Sequence, residues 1–377
     1  MLRGILRIRF AHAIDLNDMR RAMITLLLAG LCACGTVNSP ALGSSAPRII
    51  YLSPAGNDAH QGGRDCPMRT LSAVSAKLKR EAPDADVEVR CISNQGTYWN
   101  QFATWDYWNS AHTTTITSYP SDSLVHFQMN DSAASAEPFF RLSAAANDST
   151  KLIFRRLAIS GYNAGAIWFA GNETEDGWNG GNVIEDCVFD SIGNYDIPAA
   201  QLCYGMLDFV NSRGNTIRRC RLSDSDNSPW TLRPGGGTYY LPMLGVYLAH
   251  NSCKNQIYGN TFWDIKGDGI RIRDRSNENA IHHNIFEKTG YHAAVTTWYC
   301  HSDYDTCVYL ECPSYGNTFF ENTLTGNAYC GLAIATGDLR EVLRSGCADE
   351  GARLSAWSNS LDTCLYHAAL HDTGGIE

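Results

Sequence analysis

Arg271 and Arg273 stand two positions apart in Gly269-Ile270-Arg271-Ile272-Arg273, with Asp268 just before them and Lys266 two residues earlier still. Guanidinium pairs of this kind hold carboxylates bidentately. Removing the proton beside a sugar carboxylate also needs a base. Lys266, Arg271 and His292 are the candidates, given a pKa lowered by burial or by neighbouring cations. Together these groups suit β-elimination on a polyuronate. Hydrolysis needs two carboxylates at a suitable separation, and here the central pair would be Asp208 and Asp268. The competing reading is structural: with Asp274 and Arg275 alongside, the arginines form an ordinary solvated ion-pair ladder.

Repetition is what would bring these distant residues together. Asn279-Ala280-Ile281-His282-His283-Asn284-Ile285-Phe286 has the form N-x-φ-x-x-[N/C]-x-φ, with φ apolar, and the form recurs from Asn182, Asn215, Asn255, Asn317 and Asn359. A second half-unit, G-φ-x-φ, precedes the clearest copies at Gly245 and Gly269. Its alternation reads as a short strand. Neither half can bury its apolar face alone, so units of this size must stack as a solenoid, with strands about 4.8 Å apart along the axis. Asn260, Asn284 and Asn322 then fall in one column, where amides donate and accept between coils. Cys187, Cys220 and Cys364 take the same slot as small apolar residues, and Cys187 and Cys220 come within reach of a disulfide.

On the G-φ-x-φ strand the second and fourth residues face in and the third and fifth face out. The outward wall, coil by coil, is Trp168, then Asp208 and Val210, Tyr247, Arg271 and Arg273, Val295 and Thr297, and Ala333. Asp268 and His292 stack as neighbours at the preceding bend. The expected site therefore has Arg271, His292, Asp268 and Lys266 as catalytic candidates. Asp208, Tyr247, Arg273 and Trp168 are its substrate-binding candidates. His282 and His283 are read as surface residues; adjacent strand positions face opposite ways, which argues against a metal site there. No motif supports calcium.

The pattern G-I-x-[IL]-x-x-S-x-x-N-x-I-x-x-N-x-F, matched by Gly245–Phe262 and Gly269–Phe286, resembles the repeat of right-handed parallel β-helix proteins of the pectate-lyase-like superfamily. It also resembles the repeats of NosD-type accessory proteins. Tyr51-Leu52-Ser53-Pro54-Ala55-Gly56-Asn57-Asp58, followed by Cys66-Pro67-Met68-Arg69-Thr70-Leu71, is similar to the opening segment of secreted β-helix proteins. The resemblance implies an all-β, single-stranded parallel β-helix over residues 48–377, with catalytic groups on the strand face just described. It transfers no specific residue. The superfamily holds lyases, hydrolases, epimerases, esterases and non-enzymes.

The ends and the composition add bounds. Met19-Arg20-Arg21, the apolar run Ala22 to Leu31 and Leu31-Cys32-Ala33-Cys34-Gly35 form a targeting segment that resembles a bacterial lipobox, with Cys34 the lipidated residue; an ordinary secretory signal is the alternative. Residues 1–18 precede a candidate start at Met19, and residues 35–47 read as a tether. Of fourteen cysteines, an even number remains beyond the leader, which in an exported protein suggests disulfides, Cys66 with Cys91 and a staple among Cys300, Cys307, Cys312 and Cys330. The formal charge of -9 argues against general nucleic-acid binding. Thr70 to Arg80 reads as an amphipathic helix covering the open end of the stack. The expanded coils at 223–244 and 299–316 carry aromatic residues suited to sugar rings, or to packing the loops down. Gly375-Ile376-Glu377 begins another strand half-unit, as a truncated chain would, or one whose end a partner covers. Three functions follow. The leading one is an exported, lipid-anchored, monomeric protein that binds an acidic polysaccharide and cleaves it by elimination. The others are a non-catalytic carbohydrate-binding or structural surface protein, and a periplasmic accessory protein.

Overall fold

The computed structural model describes residues 46–130, 137–143, 146–172, 176–193, 204–225, 231–232, 238–239, 243–290, 292–297, 314–326, 330–334, 360–362 and 365–367. The leader with Cys34 and most of the expanded loops lie outside them.

Almost every strand pairs in parallel with the equivalent strand one coil away. Among the described residues this builds sheets of ten, nine and eight strands. The Asn half-unit supplies the first two. For example, Gln256–Tyr258 lies in the ten-stranded sheet and Thr261–Trp263 in the nine-stranded one. The G-φ-x-φ half-unit supplies the eight-stranded sheet, including Leu244–Ala249 and Ile270–Arg273. The chain is thus the all-β solenoid expected from the repeat. Registers keep like positions together: Ile217 pairs with Ile257, Ile257 with Ile281 and Ile281 with Phe319. The apolar positions fill one continuous core, in which Phe262 and Phe286 stack with centroids 4.6 Å apart. Glycine opens the third strand because a Cβ at Gly269 would lie 2.7 Å from the Phe286 ring and 2.6 Å from the Ala293 carbonyl.

Polar ladders run inside the corners. Asn260 donates from its backbone N and its Nδ2 to Asn284 Oδ1, both at 3.0 Å. Asn284 repeats this toward Asn322 at 2.9 and 3.0 Å. The preceding corner carries a second column, Asn182, Asn215, Asn255, Asn279 and Asn317, with the same paired donation. A serine column accompanies it: the backbone N of Ser212, Ser252 and Ser276 each donates to the next serine hydroxyl. A buried bend thereby satisfies its backbone groups without water.

The cysteines differ from expectation. Cys187 and Cys220 stack in adjacent coils as free thiols rather than as a disulfide. Cys187 Sγ lies 3.2 Å from the Glu185 carbonyl and 3.6 Å from that of Phe154, and Cys220 Sγ 3.3 Å from the Arg218 carbonyl and 3.6 Å from that of Ile184, either of which the thiol can reach. Asn260 Nδ2 makes the matching bond to the Ile217 carbonyl. In this slot cysteine is therefore a weak donor standing in for an amide, not merely a small apolar filler. Cys66 and Cys91 are also unbonded: Cys91 is in the core and Cys66 lies in an exposed turn. The cysteine staple around residue 300 lies outside the described residues.

The helix expected after Thr70 spans Leu71–Glu81. Thr70 caps it by accepting from the Ala73 N–H, and Leu71, Val74 and Leu78 are buried. Ser72 and Ser75 bond across to the Phe102 carbonyl and to Asp106. These contacts set the helix beside Ala103–Trp105, the edge strand of the eight-stranded sheet. An otherwise open sheet edge is thereby covered.

Candidate functional site

The outward row of the eight-stranded sheet runs Arg141, Trp168, Asp208, Tyr247 and Arg271, each the register partner of the next, and Arg271 pairs in turn with the backbone of Val295. The wall read from the sequence is therefore a physical column, with Asp208 in register between Trp168 and Tyr247. Arg273 sits one step out, opposite Thr297. Arg141 was not legible because its strand precedes the regular repeat; its guanidinium lies 4.3 Å from the Trp168 ring centroid.

Three consecutive members of this column each hold a buried polar atom with no hydrogen-bond partner among the described residues: Arg141 Nε, Trp168 Nε1 and Asp208 Oδ1. Unsatisfied buried polar atoms are uncommon, and a run of them marks a place where water or a ligand belongs. Asp208 is 1% exposed. Its Oδ2 accepts from the Tyr204 N–H at 2.9 Å. Burial pushes its carboxyl up to about 7, against the opposing pull of that N–H and of His250. The group is thus largely protonated just below neutrality and able to exchange a proton there.

A pH-dependent stability follows from Asp208. Its folded pKa of about 7 lies above the ordinary 3.8, so the unfolded chain releases this proton first. Stability falls as pH rises between those values. Asp208→Asn is expected to stabilise the protein more at pH 8 than at pH 5, by roughly 2–3 kcal/mol. Denaturant midpoints at the two pH values check this; an equal change at both contradicts it.

Asp268 is the centre of the second group. It is fully buried. Its Oδ2 accepts from Arg271 Nε at 2.7 Å and Nη2 at 2.5 Å. Its Oδ1 lies 2.7 Å from His292 Nδ1 and accepts the His292 backbone N–H at 3.1 Å. Burial works to raise this carboxyl, but the His292 hydrogen bonds and the Arg271 charge outweigh it and hold the group below its usual range. A buried carboxylate that fixes Nδ1 turns the opposite edge of the imidazole outward, as in an oriented general base. Beside it, Arg273 Nη1 donates to Tyr247 Oη at 3.0 Å, and the Tyr204 ring packs 5.2 Å from Tyr247. Asp268, Arg271, His292, Arg273 and Tyr247 are therefore joined by direct contacts or adjacent register.

Lys266 is drawn elsewhere. Its Nζ pairs with Asp264 at 2.8 Å, at the corner following Thr261–Trp263. Asp274 bonds His250 at 2.8 Å and lies 3.5 Å from Arg275, a pairing apart from the Asp268 group. The histidine doublet departs from its expected geometry. His283 adopts a φ of 55° just past the strand Ala280–His282, so the chain turns and the rings meet, Nδ1 to Nδ1 at 2.9 Å. His282 is half-buried between Tyr258 and Phe320, and burial, then His283, lowers its pKa. His283 pairs with Glu321 at 2.7 Å. Among the described residues no group of three or more His, Cys, Asp or Glu is arranged to hold a metal ion. The aromatic loops at 226–230 and 298–313 lie outside the described residues.

Residues 144–342 match the model of the right-handed β-helix region, and the chain belongs to that family. No curated protein matches. Among solved structures, a rhamnogalacturonan lyase aligns with a TM-score of 0.51 at 15% identity, covering 76% of this chain and 72% of that one. A GH136 lacto-N-biosidase from Eubacterium ramulus aligns at 0.47 and 12% identity, over 96% of this chain and 68% of that one. A pectate lyase aligns at 0.39 and 12% identity, over 89% and 82%. The neighbours are parallel β-helix proteins of the pectate-lyase-like kind, and at these identities the likeness is one of fold.

Proposed function

We propose that this chain is an exported, lipid-anchored β-helix protein that binds an acidic polysaccharide and cleaves it by β-elimination on its eight-stranded sheet. The observation that carries the reading is Asp268, a buried carboxylate holding Arg271 on one oxygen and His292 on the other. His292 takes the proton from the carbon beside the sugar carboxylate. Arg271 and Arg273 neutralise that carboxylate, so the developing negative charge meets fixed cations. A carbon–carbon double bond forms, the glycosidic C–O bond breaks, and the leaving oxygen takes a proton from Tyr247. Trp168, with Arg141 against its ring, extends the binding row. Of the three bases read from the sequence, His292 is favoured, because Lys266 is spent on Asp264 and Arg271 on Asp268.

The Arg271 contact also favours a second reading. Its Nε and Nη2 are both engaged by Asp268. An arginine so committed suits a structural ladder on a non-catalytic glycan-binding surface. Incubation with alginate, pectate and glycosaminoglycans, following the ultraviolet absorbance of an unsaturated product, separates the two. Product from at least one polymer supports cleavage. No product from any of them, with sugar binding intact in Arg271→Ala, establishes the second reading. Mass spectrometry of the mature protein tests the anchor, by a lipid-modified N-terminus at Cys34.

A further inference from the structure

The ten-stranded sheet carries its own concentration of charge. At three successive coils the chain reads Phe154-Arg155-Arg156, Ile184-Glu185-Asp186 and Ile217-Arg218-Arg219. Register places Glu185 between Arg155 and Arg218 on the outward face. Arg156, Asp186 and Arg219 occupy the following corner, each with φ near 55°. An acidic doublet is thus clamped between two arginine doublets. Glu185 is 2% exposed and takes Arg155 Nε at 2.5 Å, Arg218 Nη2 at 2.6 Å and Arg219 Nη2 at 3.0 Å. Arg219 Nε also pairs with Asp186 at 2.7 Å.

This is more than a closed ladder. The residues line an open groove of about 580 Å³ in which five arginines, Arg90 included, face only three carboxylates. The carboxylate oxygens of Glu185 are already spoken for. Among the described residues Arg155 bonds only through its Nε, and the Arg156 side chain makes no hydrogen bond, its charge acting on Asp186 from a distance. Arg90 keeps a buried Nε without a partner. Unengaged guanidinium donors in a concave site, on a chain of net charge -9, form an anion receptor rather than a neutralised surface. The two arginine doublets stand two coils apart, about 9–10 Å at the usual strand spacing. A pyranose ring is about as long as one coil is high. Anionic groups on alternate sugars would therefore meet successive doublets.

We infer that this groove is a second glycan site, separate from the eight-stranded sheet, that binds a carboxylated or sulfated oligosaccharide segment without cleaving it. The inference does not depend on elimination at His292. It is tested by calorimetric titration of the full chain carrying Arg271→Ala and Arg273→Ala, which together remove both guanidinium groups from the other face. The probes are an oligogalacturonate hexamer, a carrageenan hexamer, maltohexaose and a single-stranded oligonucleotide. The expected result is binding of one or both acidic hexamers and none of maltohexaose. Adding Arg156→Gln should weaken that binding roughly tenfold. Arg156 makes no hydrogen bond among the described residues and reaches Asp186 only through its charge, so its variant should melt close to the parent. Affinity unchanged by Arg156→Gln and by Arg219→Gln overturns the inference, as does failure of both acidic hexamers to bind. Oligonucleotide binding as tight as that of the hexamers overturns the glycan assignment. If the cleavage proposal is wrong, unsaturated product is missing while the Arg156 effect persists.

Discussion

Replacing Asn284 with alanine is expected to lower the unfolding free energy by about 3–5 kcal/mol, a large share of a typical domain's stability. Asn284 Oδ1 accepts two donors from Asn260, and Asn284 Nδ2 donates to the Ile257 carbonyl at 2.9 Å and to Asn322 Oδ1 at 3.0 Å. All four partners are in a corner that is 1% exposed or less at Asn260, Asn284 and Asn322. Alanine leaves the Asn260 backbone N–H without its acceptor and takes a donor from the Ile257 carbonyl, while Asn322 Oδ1 keeps the backbone N–H of residue 284 and Asn260 Nδ2 keeps the Ile217 carbonyl; there is no room to relax because each coil is held by the next. Asn284→Cys should cost measurably less than alanine, because a thiol in this slot can donate to the Ile257 carbonyl as Cys220 can to that of Ile184. Urea unfolding of the three proteins checks both statements. An alanine variant within about 0.5 kcal/mol of wild type would mean that the ladder contributes little.

Asp268→Ala is expected to be the most damaging change to activity and nearly as damaging to the fold. It strands Arg271, 22% exposed, beside a partly buried His292 and an empty volume. Removing one member of a buried ion pair costs about 3–5 kcal/mol. Losing the group that orients a catalytic base costs about 10²–10⁴ in turnover. Asp268→Asn separates the effects by retaining shape without charge. Because His292 and Arg271 hold the Asp268 carboxyl below 3.8, its stabilisation is present above that pH and is lost as pH falls through the lowered folded value. The asparagine variant should therefore lose the acid limb of the stability profile that this carboxylate provides, as well as turnover. An unchanged acid limb together with full activity contradicts the assignment.

The solenoid was legible because its determinants are local and repeated. Asn255, Asn260, Asn279 and Asn284 recur at fixed spacing, and period-2 alternation around Gly245 and Gly269 fixes which side chains face outward. From these the column of Trp168, Tyr247 and Arg271 follows by stacking, and Asp208 joins it once its coil is allowed to be one residue shorter. What stayed hidden depended on direction at the corners. Lys266 shares the bend with Asp268, yet a left-handed residue at Asp264 sets the turn and Asp264 takes the lysine. His283 meets His282 for the same kind of reason. Cys187 and Cys220 were legible as neighbours but not as thiol donors, since proximity alone does not distinguish a disulfide from two hydrogen bonds. The arginine doublets at Arg155 and Arg218 were plain in the chain. Their significance emerged only once register set Glu185 between them.

The elimination account is tested most directly by mass spectrometry of the fragments released from an acidic polysaccharide by wild type and by His292→Ala. An elimination fragment is lighter by one water than its hydrolytic counterpart. The account predicts unsaturated fragments from wild type and none from His292→Ala, which still binds the polymer. Hydrolytic fragments, or unsaturated fragments released undiminished by His292→Ala, would contradict it.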